Sequence, residues 1–231
     1  MKSTTGDDNA VGVKRPKPAA DHLQHQDRAV RLIAATNEFF TRYFHELTVL
    51  NPCPIPETGA AILISNHTAG IDPLLLQSAG PQRLIVWMMA KEYYQIPVLG
   101  RVFRKLQTIP VERSGRDLAA TRAALRVLEQ GRVLGVFPEG RIEPDRQLLP
   151  FQTGVALLAQ RSGAPVYPAY LDGTQRGREM VPSLLRPCSA SVAFGPRVSL
   201  DGVATGREAL EHWTQAIMAS VARLQSQAAG R

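Results

Sequence analysis

Short apolar runs bounded by glycine, proline and polar residues recur from Ala60 onward, and they alternate with segments of helical periodicity. The runs at 61–65, 83–89, 108–111, 133–137, 166–171 and 191–194 predict buried strands. Three intervening segments predict helices. Residues 117–130 carry a stripe of Leu118, Leu125 and Leu128, with Ser114 and Asp117 as a capping pair and Gly131 as the stop; residues 151–162 end likewise at Gly163. A last helix over 207–225 opens with Thr205 and Glu208 and buries Leu210, Trp213, Ile217, Val221 and Leu224. Alternating strands and helices argue for an α/β layer architecture. Ahead of this block, Ala29, Leu32, Ile33, Phe40, Tyr43, Phe44 and Leu47 recur at helical spacing between charged positions, which predicts an amphipathic helix over 27–49.

The pattern divides the chain into a disordered basic tail at 1–20, an amphipathic helical segment at 21–50 and a single α/β domain at 51–231. Only two cysteines occur, Cys53 and Cys188, with no C-x-x-C partner, so they read as packing residues rather than a disulfide or zinc framework. Neither a signal peptide nor a run of about eighteen apolar residues is expected in the chain. The net charge of +7 is concentrated at 83–132, where ten Lys/Arg face four Asp/Glu. Such a surface attracts anionic headgroups, a lipid phosphate or an acidic carrier protein. Nucleic acid is disfavoured as a partner, since basic runs, zinc-finger spacing and RNP-like aromatics are all lacking.

The chemistry concentrates where strands end. The run Ser65-Asn66-His67-Thr68-Ala69-Gly70-Ile71-Asp72-Pro73 delivers a histidine and an aspartate at H-x4-D spacing. A histidine accepts a proton near neutrality, and a nearby carboxylate fixes its tautomer and stabilises the imidazolium that forms. Asp72 before Pro73 also reads as a helix N-cap, which explains the aspartate but not His67. The chain has no G-x-S-x-G elbow, so the attacking oxygen belongs to a substrate hydroxyl in this reading, and the chemistry is acyl transfer to an alcohol. Leu134-Gly135-Val136-Phe137-Pro138-Glu139-Gly140-Arg141 is another apolar run breaking into a charged turn, Thr108-Ile109-Pro110-Val111-Glu112-Arg113 ends in an arginine, and Ala164-Pro165-Val166-Tyr167-Pro168-Ala169-Tyr170 follows them.

In order and spacing these segments resemble the four blocks of the glycerolipid acyltransferases, the lysophosphatidate acyltransferase-like family: NHTAGID, IPVER, FPEGR and PVYPAY, together spanning about half of the chain. Two departures stand out. Gln107 occupies a position where the second block usually has glycine, and Arg141 directly follows Gly140 where many members interpose a small residue. The resemblance implies a mixed, mostly parallel sheet flanked by helices, with the strand ends brought into one cleft. It further implies a 1-acylglycerol-3-phosphate O-acyltransferase-like enzyme that moves a fatty acyl group from acyl-CoA or acyl-carrier protein to a lysophospholipid, first of all lysophosphatidate. His67 and Asp72 would be catalytic; Arg113, Glu139, Gly140 and Arg141 would bind substrate; no metal and no bound cofactor would be needed. An acceptor such as lyso-ornithine lipid is the alternative within the chemistry, and a non-catalytic lipid-surface protein the alternative outside it.

A lipid substrate beside no spanning segment predicts a peripheral protein on the cytoplasmic, inner face of a membrane, held by the basic excess and the apolar stripe of the first helix. That stripe is equally suited to packing on the domain. His22 and His25 do not make a metal constellation, His45 and His212 read as helix-surface histidines, and Asp172 reads as turn chemistry.

Overall fold

The computed structural model describes residues 28–112, 117–145, 147–175, 177, 179–200 and 206–229. The predicted tail, His22, His25, Arg113, Ser114 and Thr205 lie outside these residues.

Seven strands form one sheet: β1 (Thr48–Val49), β2 (Ala61–Ser65), β3 (Ile85–Ala90), β4 (Ile109–Val111), β5 (Val133–Val136), β6 (Val166–Asp172) and β7 (Ser191–Phe194). Their order is β1-β7-β6-β2-β5-β3-β4. Every pairing is parallel except β6 with β7, so the sheet is mixed and mostly parallel, as the family resemblance implies. Helices α1 (Arg28–Tyr43), α2 (Asp72–Ala79), α3 (Pro97–Lys105), α4 (Leu118–Glu129), α5 (Gly154–Ser162), α6 (Met180–Leu184) and α7 (Arg207–Ala229) surround it, with a 3-10 turn at Lys91–Gln95.

The period of two along a strand splits the core. Ile62 and Ile64 of β2 pack with Ala124 and Leu128 of α4, Val155 and Ala159 of α5, and Ile217 and Val221 of α7. Ala61 and Leu63 face the other way, against Leu75 and Leu76 of α2, Phe103 of α3 and Met180 of α6. Both faces of the sheet are covered, so β2 is buried at all five positions and reads as an unbroken apolar run. Each fully buried Ile or Leu contributes about 1.5–3 kcal/mol relative to exposure.

Several expectations are corrected. The first helix ends at Tyr43 rather than near Val49, because Glu46 takes a left-handed φ of 42° and turns the chain into β1. Its buried positions are Val30 and Thr41; Asn37 and Thr41 bond across to Leu74 and Ser78 of α2, whereas Leu32 and Tyr43 point outward together with Phe39. In α4 the buried residues are Ala120, Ala124, Val127 and Leu128, while Leu118 is exposed; Asp117, read as the second member of a capping pair with Ser114, is itself the N-cap, accepting from the Ala120 N–H. His45 is not a helix-surface residue: it is fully buried between Phe40 and Phe44, its Nδ1 3.3 Å from the Cys188 Sγ. Burial holds this imidazole below its usual pKa and pushes the Cys188 thiol up to about 11. His212 is exposed on α7, and both cysteines are free and packed against the core.

Gln107, where the family's second block usually has glycine, has φ 56°. A left-handed non-glycine residue costs roughly 1–2 kcal/mol, part of which glycine gives back as chain entropy in the unfolded state. Its side chain is exposed and accepts one bond from Arg132. Gln107→Gly is therefore expected to raise stability by about 1 kcal/mol, which is roughly 2–4 °C in Tm for a domain of this size. An unchanged or lower Tm by calorimetry would show that the Arg132 contact outweighs the strain.

Candidate active site

Because β2, β3, β4, β5 and β6 run parallel, the chain leaves them at one edge of the sheet, which is where open α/β sheets place their clefts. His67 lies two residues beyond β2, and Glu139, Gly140 and Arg141 follow β5 on the adjacent strand. Of these, Glu139 meets His67 directly, by a side-chain bond to its backbone N–H. Arg113, the other residue expected at the site, lies outside the described residues.

The loop from His67 to α2 folds around one carboxylate. Asp72 is 0% exposed, and its Oδ2 accepts from the Thr68 N–H at 2.6 Å, the Ala69 N–H at 3.0 Å and His67 Nδ1 at 2.9 Å. The Thr68 hydroxyl lies 3.3 Å from both carboxylate oxygens. An oxygen that already accepts two backbone N–H bonds can only accept again, so Nδ1 carries the proton and Nε2 keeps its lone pair. The N-cap role read for Asp72 is not what forms: Ile71 holds the cap position without a side-chain bond, and Asp72 is the first helical residue, its carboxylate turned back onto the loop. Gly70 lets that loop meet α6, since a Cβ there would lie 2.2 Å from the Met180 backbone nitrogen.

Both backbone groups of His67 are held by the turn after β5. The Glu139 Oε1 accepts the His67 N–H at 2.9 Å, and the His67 carbonyl accepts from the Glu143 N–H at 2.7 Å. The second Glu139 oxygen accepts the Leu149 N–H at 3.2 Å. Glu139 is 5% exposed, and burial pushes its pKa up to about 7 against the opposing pull of these two N–H donors. Gly140, at φ 72°, closes the Phe137–Gly140 turn, and Arg141 is exposed on it. Asn66 fastens the end of β2 to β6 by a two-way amide pairing with Leu171, at 2.9 and 2.8 Å.

The His67 ring is 17% exposed and lies flat on Phe137, centroids 4.1 Å apart and planes 14° apart. Phe137 stacks in turn on Trp87 at 4.9 Å and 13°. The supports that sequence reading missed are thus Asn66, Gly70, Trp87, Phe137 and Glu143. The available signals were an aromatic residue opening the third block and a glycine inside the second half of the H-x4-D spacer. Among the described residues no group of three or more His, Cys, Asp or Glu is placed to hold a metal ion.

Known proteins resemble this chain in sequence and in fold. The model of the family described as Acyltransferase matches residues 46–172. A 1-acyl-sn-glycerol-3-phosphate acyltransferase of Limnanthes alba is 33% identical over 144 residues, covering 61% of this chain and 51% of that protein. One from Bacillus subtilis is 26% identical over 133 residues, covering 57% and 65%. The chain spans between about half and two thirds of the length of these relatives. The crystal structure of the 1-acyl-sn-glycerophosphate (LPA) acyltransferase PlsC from Thermotoga maritima has a TM-score of 0.64 over 88% of this chain and 85% of that one, at 21% identity, which is a likeness of fold. With a family model matching residues 46–172, more than half of its length, the chain belongs to the Acyltransferase family.

Proposed function

We propose that the protein is an O-acyltransferase that moves a fatty acyl group from a thioester, on coenzyme A or acyl-carrier protein, to the free hydroxyl of a lysophospholipid, with lysophosphatidate as the first acceptor. The observation that carries this reading is the His67 imidazole, oriented by buried Asp72 through Nδ1 so that Nε2 is the basic nitrogen. Nε2 takes the proton of the acceptor hydroxyl as its oxygen attacks the thioester carbonyl. The tetrahedral intermediate collapses, and the departing thiolate takes the same proton from Nε2. The relatives named as 1-acyl-sn-glycerol-3-phosphate acyltransferases support the choice of acceptor. In this reading Arg113 and exposed Arg141 hold the acceptor phosphate, Arg113 as a planar fork. Gly140 shapes the turn between them and the base, and Glu139 acts on the substrate through the His67 backbone it fastens.

The reading extends to a peripheral protein on the inner face of a membrane. Its supports are the outward row Leu32, Phe39 and Tyr43 on α1, exposed Val98 on α3 beside Arg101, Arg104 and Lys105, and the absence of any described helix long and apolar enough to cross a bilayer.

The test is consumption of acyl-CoA or acyl-carrier thioester by purified protein across a panel of lysolipid acceptors. Lysophosphatidate is expected to give the highest kcat/KM, and Arg113→Ala to raise KM for that acceptor far more than for the donor. Turnover only with a lysolipid lacking a terminal phosphate would move the acceptor to the lyso-ornithine class; no turnover with any acceptor would defeat the enzymatic reading.

A further inference from the structure

The ring column behind His67 has a foot, a middle and a tip, and each is set by the sheet. Trp87 on β3 is the register partner of Gly135 on β5. A Cβ at Gly135 would lie 2.4 Å from Trp87 Cε3 and 2.7 Å from Ile85 Cγ2, so only glycine there lets the indole lie across the neighbouring strand. Phe137, two residues further and on the same side by strand period, then rests on the indole face. The imidazole of His67 rests on the other face of Phe137. Trp87 is 5% exposed and cannot swing away, so the plane offered to the imidazole is fixed from below.

A histidine ring held only by its Nδ1–H bond keeps freedom to rotate about that bond. One edge of His67 is fixed by Asp72, 2.9 Å from Nδ1; its face is fixed by Phe137 at 4.1 Å. Edge and face together define where the Nε2 lone pair points. The same parallel contact places an aromatic face against the charge that develops when Nε2 takes a proton, and a cation over a ring is stabilised by the ring quadrupole. Both effects act through the imidazole, so they are expected in kcat rather than in KM.

We propose that Phe137, seated on Trp87 over Gly135, is a positioning residue for the base: it locks the His67 ring plane and stabilises its protonated form during acyl transfer. The proposal rests on the reading of His67 as the base, and its test separates the two. Phe137→Leu and Phe137→Met remove the aromatic face and keep an apolar filler, Phe137→Tyr keeps the face, and His67→Ala is the control. With the acceptor that supports turnover, kcat is expected to fall roughly 3- to 30-fold in the Leu and Met variants, KM for both substrates to stay within about twofold, and the Tyr variant to recover to within about twofold of wild type.

Proton NMR supplies a readout independent of turnover. The ring signal absent from His67→Ala belongs to His67; stacked on Phe137 it lies upfield through the ring current, moves downfield in Phe137→Leu and stays in place in Phe137→Tyr. Wild-type kcat in both the Leu and Met variants would overturn the proposal. So would an equal loss in the Leu and Tyr variants, or a His67 signal that does not move when the face is removed. Wild-type turnover in His67→Ala would instead defeat the base, and the NMR shift would still decide whether Phe137 holds the ring.

Discussion

Replacing His67 by alanine is expected to lower turnover by roughly 10²–10⁴-fold, the worth of a positioned general base, while the Tm stays near that of the wild type. The asymmetry follows from how the residue is held. Its structural attachments are backbone groups: the N–H bonds Glu139 and the C=O accepts from the Glu143 N–H, and both survive truncation of the ring. Asp72 loses one donor and retains the Thr68 and Ala69 N–H groups, so no buried carboxylate is left bare. The ring is partly exposed, so its removal opens a surface notch rather than a sealed cavity. A kcat assay beside calorimetry on the same preparation checks both halves. Turnover within a few-fold of wild type would end the base mechanism, and a large drop in Tm would make His67 a packing residue whose loss of activity says nothing about protons.

The parts of this picture that were legible in the chain are those whose signal is local. The bounds of β2 and β7 were read as they form, because each is an apolar run stopped on both sides by polar or proline-rich chain. His67 and Asp72 were legible because one loop carries both and their partnership depends on spacing alone. The short elements α3 and α6 were not, since a nine- and a five-residue helix interrupted by glycine or proline carry too few periods to stand out. Strand β1 was hidden inside a helical pattern that only the left-handed Glu46 interrupts. The stripe read for the first helix ran on through Phe44 and Leu47, beyond its end at Tyr43, and left out buried Val30 and the contact with α2, which is made by Asn37 and Thr41, polar residues that pair with Ser78. Family resemblance brought Glu139 to the site, but its partner, the His67 N–H, lies 72 residues away and is a group every residue carries. The same holds for Glu143 and the His67 carbonyl, and for the stacking of Phe137.

Asp72→Asn is expected to lower turnover by roughly 10³–10⁴-fold and, unlike the histidine variant, to cost stability as well. The Oδ2 atom sits at the meeting point of three donors, His67 Nδ1–H and the Thr68 and Ala69 N–H groups, in a site with no exposure to solvent. An asparagine that places its amide NH2 there opposes donors to donors. One that places its carbonyl oxygen there keeps the geometry but turns the NH2 toward the Thr68 hydroxyl and withdraws the negative charge that favours the protonated imidazole. An imperfectly satisfied buried group costs about 1–3 kcal/mol, or roughly 2–12 °C in Tm for a domain of this size. The double variant His67→Ala/Asp72→Asn separates the two roles. Its turnover is expected to be no lower than that of His67→Ala alone, because the carboxylate serves catalysis only through the imidazole, whereas its Tm is expected to keep most of the Asp72→Asn loss, because the backbone donors of Thr68 and Ala69 remain. Additive losses of turnover would instead give Asp72 a catalytic effect of its own, and a wild-type Tm in Asp72→Asn would show that the loop is held by its contacts with α6 and the Glu139 turn rather than by this carboxylate.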